Sequence, residues 1–292
     1  MLHQYVQQFL SYCQIACFSE RSIGTLTARL NEFNVFIKSK RLKSPRAIAY
    51  THLIDFVSDF KLPSVHVKKS RVWTLRQFFH FLVLNQWISK NIARELPYPK
   101  IERTVPKYLT IGEFNQIIKS LSHRTDSLIE LRNLTIVMLL GMLGLRTSSL
   151  VSLNVQDVDL TCGLIWIYEK GRRRRTLLMP YVLCELMQKY LNMSRRKTGP
   201  LFLSKRNRRI SQRSLQNIFR TIADQTGIEK KLHAHLFRHT AATLLNKVAG
   251  IDITQHVLGH ARRSNTLKYA HLNPDQYAVY MRQHPYMKKE PS

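Results

Sequence analysis

A short segment towards the end of the chain surrounds one tyrosine with cations and hydrogen-bond donors. It reads LGHARRSNTLKYAH, from Leu258 to His271, and it contains His260 and Tyr269. A single tyrosine is most often a half-buried side chain with a satisfied hydroxyl, so the segment alone predicts no chemistry. A phenol with a pKa of about 10 is mostly neutral at pH 7, and nearby cations are what such a nucleophile needs. Whether Tyr269 could act as a nucleophile therefore depends on basic residues elsewhere in the chain.

Four further positions could handle an anionic group such as a phosphodiester. Arg146 lies in GLRTSSL, where a buried helix ends and another begins, and Lys170 lies in EKGRRRR, at a predicted turn. His235 and Arg238 are three residues apart, so on a helix they share one face. Two of these segments have an ordinary alternative: Arg146 could cap a helix C-terminus, and the cations beside Lys170 could form a solvated hairpin tip.

Three histidines raise the alternative of a metal site. His233, His235 and His239 have HxH and HxxxH spacing. No nearby carboxylate or thiolate in the sequence completes a familiar ligand set. We therefore expect neither a metal nor another cofactor.

The charge balance of the chain predicts a polyanionic partner. Among 292 residues, 46 Lys and Arg stand against 18 Asp and Glu, a formal net charge of +28 that is spread along the whole sequence. Nucleic acid is the leading candidate, because no helix shows the basic polar face that binds a lipid surface. The N-terminus lacks the features of an export signal, and the apolar run at 134–145 is too short to span a bilayer. We expect a cytoplasmic protein without a membrane partner and with reduced cysteines.

The first part of the chain predicts a helical domain over residues 1–95. Leu26, Leu30, Phe33 and Ile37 recur at helical spacing after Ser22, a candidate N-cap. A second apolar stripe, at 73–83, is flanked or interrupted by the basic residues Lys68, Lys69, Arg71 and Arg76. This pattern is typical of a helix with one core face and one positive face.

A proline-rich stretch separates this domain from a second one. We place a linker at 96–107 and a C-terminal domain at 108–292, which opens with a capping box of Thr110 and Glu113. The run at 134–145 predicts a buried helix, and residues 156–180 predict a hairpin of short strands around a basic turn. The remaining sequence returns to helical periodicity. The fold class is mainly α with a small antiparallel β-sheet, in two domains.

In order and spacing, these segments resemble the tyrosine recombinase, or phage integrase, family. The resemblance is carried by GLRTSSL, EKGRRRRTLLMP, HLFRHTAATLL, LGHARRSNTLKYAH and, before them, FFHFLVLNQWISKNIARELPYPKIERTVPKYLT. It covers nearly the whole chain, and the tail from about residue 272 is similar to that of Xer-type recombinases. The resemblance implies a helical core-binding domain and a mixed α/β catalytic domain.

The resemblance also implies a reaction. Tyr269 would attack the scissile phosphate to give a 3′-phosphotyrosyl bond and a free 5′-hydroxyl, without metal or ATP. Arg146 and Arg238 would hold the non-bridging oxygens, because a guanidinium fork matches phosphate geometry. The strands would then be exchanged through a Holliday junction, in DNA integration, excision or resolution.

The remaining catalytic roles are implied in the same way. Lys170 would protonate the departing 5′ oxygen, His235 would accept the phenol proton or position the phenol, and His260 would donate to a phosphate oxygen. The chain departs from the family at Ser149, where an acidic residue usually supports the first arginine.

DNA is accordingly the expected partner. The resemblance implies a double-stranded recombination site, a homotetramer on synapsed DNA that is a monomer or weak dimer without it, and a possible accessory or partner recombinase. The tail is expected to dock on a neighbouring subunit. The residues expected to bind DNA are Lys68, Lys69, Arg71, Arg76, Arg172, Arg173 and Arg174.

Two other functions remain open from the sequence. A type IB topoisomerase would use the same chemistry without strand exchange, and a DNA-binding protein or regulator could have kept the fold without catalysis. The tail and the lack of long extra domains disfavour the first. The retained catalytic set disfavours the second, because binding alone needs no phenol.

Overall fold

The structure, a computed structural model, describes residues 2–100, 106–123, 125–168 and 174–259. The chain divides into two compact units, Met1–Thr104 and Val105–Ser292, and this division falls inside the linker predicted at 96–107. The tail from 272 lies outside the described residues. So do five of the residues singled out in the sequence: Lys170, Arg172, Arg173, His260 and Tyr269.

The N-terminal unit is helical and has a core rich in phenylalanine. Its helices are α1 (His3–Ile15), α2 (Glu20–Ser39), α3 (Tyr50–Ser58) and α4 (Val65–Leu84), with 3-10 turns at Pro45–Ala47 and Ile92–Glu95. Phe33 of α2, Phe56 of α3 and Phe79 of α4 are fully buried, and the ring centroids of Phe33 and Phe56 lie 5.0 Å apart. Tilted aromatic packing of this kind adds to the free energy of apolar burial.

Helix α2 begins earlier than the sequence predicted. Ser19, not Ser22, is the N-cap, and its hydroxyl oxygen accepts a hydrogen bond from the backbone N–H of Ser22 at 3.3 Å. The earlier start places Glu20 in the first turn, where a carboxylate is favoured by the positive end of the helix dipole. The expectation for Ser22 is therefore wrong by one helical turn.

Arg71 is a core residue and not an exposed DNA contact. It is 2 % exposed, and its Nη1 donates to the carbonyls of Phe56 at 2.7 Å and Phe60 at 2.9 Å. Its Nη2 lies 3.1 Å from the Glu32 carboxylate. Burial lowers the pKa of Arg71, and the hydrogen bond and charge of Glu32 oppose that change. The expectation that Arg71 binds DNA is wrong, because this guanidinium connects α4 to α2 and α3.

The other cations expected on the same helix differ in exposure. Lys69 is exposed and Lys68 is half-buried. Arg76 is half-buried, donates to the carbonyl of Leu96 at 2.6 Å and lies over the ring of Tyr98, with 4.4 Å to its centroid. Since Leu96 is itself fully buried, the packed N-terminal unit extends past the boundary predicted at residue 95.

The C-terminal unit combines helices with one small sheet. Its helices are α5 (Ile111–Ser122), α6 (Leu128–Leu143), α7 (Thr147–Ser152), α8 (Tyr181–Ser194), α9 (Gln212–Thr226) and α10 (Ala234–Leu258), with a 3-10 turn at Val155–Asp157. Helix α10 is kinked at Gly250, where the backbone leaves helical geometry. The strands are β1 (Val158–Asp159), β2 (Leu164–Tyr168) and β3 (Arg174–Leu178), antiparallel in the order β1-β2-β3. The hairpin predicted within 156–180 is confirmed.

The sheet and the helices share one apolar core. Ile165 and Ile167 of β2 are fully buried, whereas the residues between and beside them are not, as expected for a strand with one face on the core. Helix α6 is buried on nearly all sides, which confirms the predicted core helix. Within the described part of the chain, no helix is both long and apolar enough to cross a membrane.

The capping box that opens α5 is confirmed. Thr110 Oγ1 accepts from the backbone N–H of Glu113 at 3.1 Å, and a Glu113 carboxylate oxygen accepts from the backbone N–H of Thr110 at 2.7 Å. Lys230 attaches the loop before α10 to this box, because its ammonium lies 2.6 Å from the same carboxylate oxygen. The start of the C-terminal unit is thereby held close to the helix that carries Arg238.

Candidate active site

Arg146 is placed by a glycine turn between two helices. Gly144 ends α6 with φ of 60°, a left-handed conformation that favours glycine, and Arg146 then becomes the N-cap of α7. Its Nη2 donates to the carbonyl oxygen of Gly259 at 2.8 Å, across 113 positions of sequence. Arg146 therefore does bind the C-terminal end of a helix, but that helix is α10 and not the one that precedes it.

Arg238 reaches the same place from the first half of α10. It is 5 % exposed, its Nη1 donates to the carbonyl of Gly144 at 2.5 Å, and its Nη2 donates to the carbonyl of Leu258 at 2.8 Å. Leu258 and Gly259 are consecutive, so the two guanidinium groups that the sequence suggested for phosphate binding are attached to adjacent carbonyls. The structure brings Arg146 and Arg238 together.

The place where Arg146 and Arg238 meet lies at the end of a helix, and its electrostatics follow from that position. The last carbonyls of a helix have no partner within the helix and carry a partial negative charge. Arg175 of β3 also donates to this end, to the carbonyls of His256 at 3.3 Å and Val257. The end of α10 therefore gathers cations at the point where the chain leads into His260.

His235 lies on the same helix as Arg238, three residues earlier, as the sequence predicted. It is exposed, in the first turn of α10. His233 is the N-cap of that helix: its Nδ1 accepts from the backbone N–H of Leu236 at 3.0 Å. The rings of His233 and His235 are 6.5 Å apart between centroids. The described residues contain no group of three or more His, Cys, Asp or Glu that could hold a metal ion.

The N-cap histidine makes the stability of the C-terminal unit depend on pH. Burial lowers the pKa of His233, and the charges of His235 and Lys231 lower it further. The unfolded chain protonates this histidine below its ordinary pKa of about 6.5, whereas the folded chain takes up the same proton only at a lower pH. The contribution of His233 to the free energy of unfolding should therefore be complete above the pKa of the unfolded state. It should decrease as the pH falls from there through the lower pKa of the folded state.

Comparison with a His233→Asn variant isolates this contribution. Asparagine keeps an N-cap acceptor and does not titrate, so the variant should lose less stability than the wild type between neutral and mildly acidic pH. Urea denaturation at a series of pH values measures the difference. Parallel curves for the two proteins would contradict the assignment.

Ser149, the departure from the family pattern, is buried three residues after Arg146. It is 2 % exposed, and its hydroxyl donates to the carbonyl of Tyr168 at 3.0 Å. Tyr168 is the last residue of β2. The serine therefore attaches α7, which begins after Arg146, to the end of a strand.

The structure describes Arg174 but not Lys170, His260 or Tyr269. Arg174 is exposed at the start of β3, with its guanidinium over the ring of Trp166 at 4.8 Å from the centroid. Lys170 falls between β2 and β3 in the sequence, and His260 directly follows Gly259.

The sequence reasoning did not assign a basic groove beside α9. This cavity, of about 570 Å³, is lined by Arg132, Lys205, Arg206 and Arg213 among others. Arg132 is 6 % exposed and donates to Asn133 Oδ1 and to the carbonyl of Leu203. Residues 204–211, SKRNRRIS, are a basic run that leads directly into α9. Nothing local in the sequence indicated that this run shares a cavity with Arg132 of α6.

Comparison with known proteins places these features in a family. The phage integrase family matches residues 107–276, more than half of the chain. The tyrosine recombinase XerC of Halalkalibacterium halodurans is 29% identical over 300 residues, which cover 97% of either chain. The chain therefore belongs to the phage integrase family and is a tyrosine-type site-specific recombinase.

Solved structures agree with the fold. The XerH site-specific recombinase bound to its difH substrate, in a pre-cleavage complex, has a TM-score of 0.74 at 22% identity, covering 96% of this chain and 84% of that one. A lambda integrase tetramer bound to a Holliday junction has a TM-score of 0.72 at 15% identity, covering 90% of this chain and 78% of that one. The predicted class, mainly α with a small antiparallel sheet in a core-binding and a catalytic domain, is confirmed.

Proposed function

We propose that this protein cuts and rejoins DNA at a specific site, with Tyr269 as nucleophile and a covalent 3′-phosphotyrosyl intermediate. The observation that carries the proposal is the meeting of Arg146 and Arg238 at the end of α10, from segments far apart in sequence. Two guanidinium forks at one point suit a phosphate whose negative charge grows in the transition state. The chain continues from this point to Tyr269, ten residues after Gly259.

The proposed step conserves the number of phosphate ester bonds. The Tyr269 oxygen forms a bond to phosphorus while the bond to the 5′ oxygen breaks. The phenol proton passes to His235 or to water, Lys170 supplies a proton to the departing 5′ oxygen, and His260 donates to a phosphate oxygen. Rejoining reverses these transfers, so neither ATP nor a metal is needed.

We propose that DNA is contacted by cations from both units of the chain. Backbone phosphates supply most of the affinity in such complexes, and Lys and Arg supply the contacts. The basic groove beside α9 adds three cations to the residues expected from sequence, and Arg71 is left out because it is buried. The proposed set is Lys68, Lys69, Arg76, Arg172, Arg173, Arg174, Lys205, Arg206 and Arg213.

The assembly proposed is a homotetramer on two synapsed sites. The likeness to a lambda integrase tetramer on a Holliday junction supports it, as does the similarity of the tail to those of Xer-type recombinases. Off DNA we expect a monomer or weak dimer, and a partner recombinase or accessory protein is compatible with this arrangement. We also propose, as expected from the sequence, that the protein acts in the cytoplasm.

A nicked DNA duplex tests the reaction. Cleavage mapped on DNA from the gene's own neighbourhood defines the site, and a nick beside the scissile phosphate lets the released fragment diffuse away and traps the covalent adduct. The wild type should form a protein–DNA adduct that survives denaturation, and Tyr269→Phe should form none, because it lacks the attacking oxygen. Tyr269→Phe should bind the duplex as the wild type does.

Other outcomes would favour other functions. If the wild type binds its mapped site but never forms an adduct, the protein is a DNA-binding relative without catalysis. If it efficiently relaxes supercoiled DNA that lacks the site, it is a topoisomerase of the type IB kind. A recombination assay distinguishes strand exchange from both of these alternatives. Strand exchange requires recombination between two copies of the site and none when one of the two copies is altered.

A further inference from the structure

The last turn of α10 is held by more than the two proposed phosphate-binding arginines. Arg146 and Arg238 bind its final two carbonyls. Arg175 binds the two carbonyls before these, with its Nη1 3.3 Å from the carbonyl oxygen of His256 and in a shorter contact with that of Val257. Four consecutive carbonyl groups therefore accept from three arginines, which come from the N-cap of α7, from β3 and from the first half of α10 itself.

Arg175 belongs to a strand whose neighbour is also attached to the site. It is the second residue of β3, half-buried, and pairs with Ile167 of β2. The next residue of β2, Tyr168, accepts from the hydroxyl of Ser149. The hairpin is thus tied to α7 through one strand and to α10 through the other.

The attachment of Arg175 matters because the carbonyls of one helical turn keep fixed positions relative to one another. A helix end whose carbonyls lack partners frays, and the direction of its last carbonyls is then no longer defined. Arg146 and Arg238 are oriented by the carbonyls that directly follow those bound by Arg175. A change in the last turn would therefore move both guanidinium groups with respect to a bound phosphate.

We propose that Arg175 is a positioning residue for DNA cleavage. It attaches β3 to the last turn of α10 and so sets the places of Arg146 and Arg238, without contacting the DNA itself. This inference rests on the proposed recombinase function. It assigns a role to an arginine next to Arg174, which is among the cations proposed to contact DNA.

The test is the single-turnover rate of adduct formation on the nicked duplex, at saturating DNA and at a temperature where each protein is folded. Arg175→Met should slow this rate by about 10- to 100-fold, since a displacement of about 1 Å of a catalytic group costs that much. Its affinity for the duplex should equal that of the wild type. Arg175→Lys should recover part of the rate, because an ammonium can still donate to a carbonyl at the negative end of the helix.

A matched variant controls for the loss of one cation and one carbonyl contact. Arg196 follows α8, and its Nη2 donates to the carbonyl of Thr198 at 3.2 Å. Arg196→Met should cleave at the wild-type rate. If it loses as much as Arg175→Met, net charge explains the effect and the proposal is overturned.

Other results separate this inference from the proposed function. A wild-type rate in Arg175→Met, or a loss of affinity with an unchanged rate at saturating DNA, would overturn the positioning role alone. Should Arg175→Met fail to fold, Arg175→Lys carries the test, and a wild-type rate in that variant would count against the proposal. A wild type that forms no adduct would instead refute the proposed function.

Discussion

Arg238→Met is expected to slow adduct formation on the nicked duplex by about 10²- to 10³-fold, the usual effect of removing one preorganised donor to a developing charge. The same change should also destabilise the C-terminal unit. The Arg238 guanidinium is buried and donates to the carbonyls of Gly144 and Leu258, which would both lose their partner. At about 1–3 kcal/mol for each of the two unsatisfied buried groups, the free energy of unfolding should fall by roughly 2–6 kcal/mol.

Arg146→Met provides the comparison that separates the two effects. Arg146 is half-buried, and it donates to the carbonyl of Gly259. We expect a loss of cleavage rate of the same order but a smaller loss of stability. Single-turnover cleavage and urea denaturation measure both quantities for both variants. If Arg238→Met were unstable but cleaved at the wild-type rate when folded, Arg238 would be a structural residue only.

Gly144→Ala is expected to destabilise the C-terminal unit strongly, although it adds only one methyl group. The residue has φ of 60°, and an added Cβ would lie 2.5 Å from Leu258 Cδ2 and 3.3 Å from Ala241 Cβ. The left-handed conformation costs a non-glycine residue about 1–2 kcal/mol, and forcing apart a packed contact costs about 1–3 kcal/mol more. A loss of roughly 2–5 kcal/mol in the free energy of unfolding follows.

The same substitution should impair cleavage, because the Gly144 carbonyl accepts from Arg238 and Leu258 belongs to the end of α10. Gly227→Ala is the matched control. It ends α9 with φ of 66°, but nothing lies within 4 Å of an added Cβ, so it should lose only about 1–2 kcal/mol and keep the wild-type cleavage rate. Equal losses of stability in the two variants, measured by urea denaturation, would show that the contact with Leu258 does not matter.

Helix phase could have identified one misassigned residue from the sequence. Arg71 precedes Leu75 by four positions and Phe78 by seven, the spacing of one helical face, and both of those residues are buried. Its neighbour Lys69 lies outside that face and is exposed. Counting cations along a helix predicts a basic surface, but only their phase relative to the apolar stripe distinguishes a surface arginine from one in the core.

Local interactions explain what the sequence by itself determined. The capping box of Thr110 and Glu113, the buried helix α6 and the strands β2 and β3 depend on residues a few positions apart, or on a short hairpin, and periodicity predicts them. The types of the proposed catalytic residues were also readable, because their chemistry does not depend on where they lie.

Only the tertiary structure decided which of these residues meet, and what else holds them. Arg146 binds a carbonyl 113 positions away, and Arg238 binds the carbonyl of Gly144, 94 positions away. Every residue has a backbone carbonyl, so the sequence does not indicate which carbonyl will bind an arginine. Neither these contacts nor that of Arg175 with the end of α10 could therefore be predicted. The physical reason is that a helix end selects its partners by geometry, which only the packed chain defines.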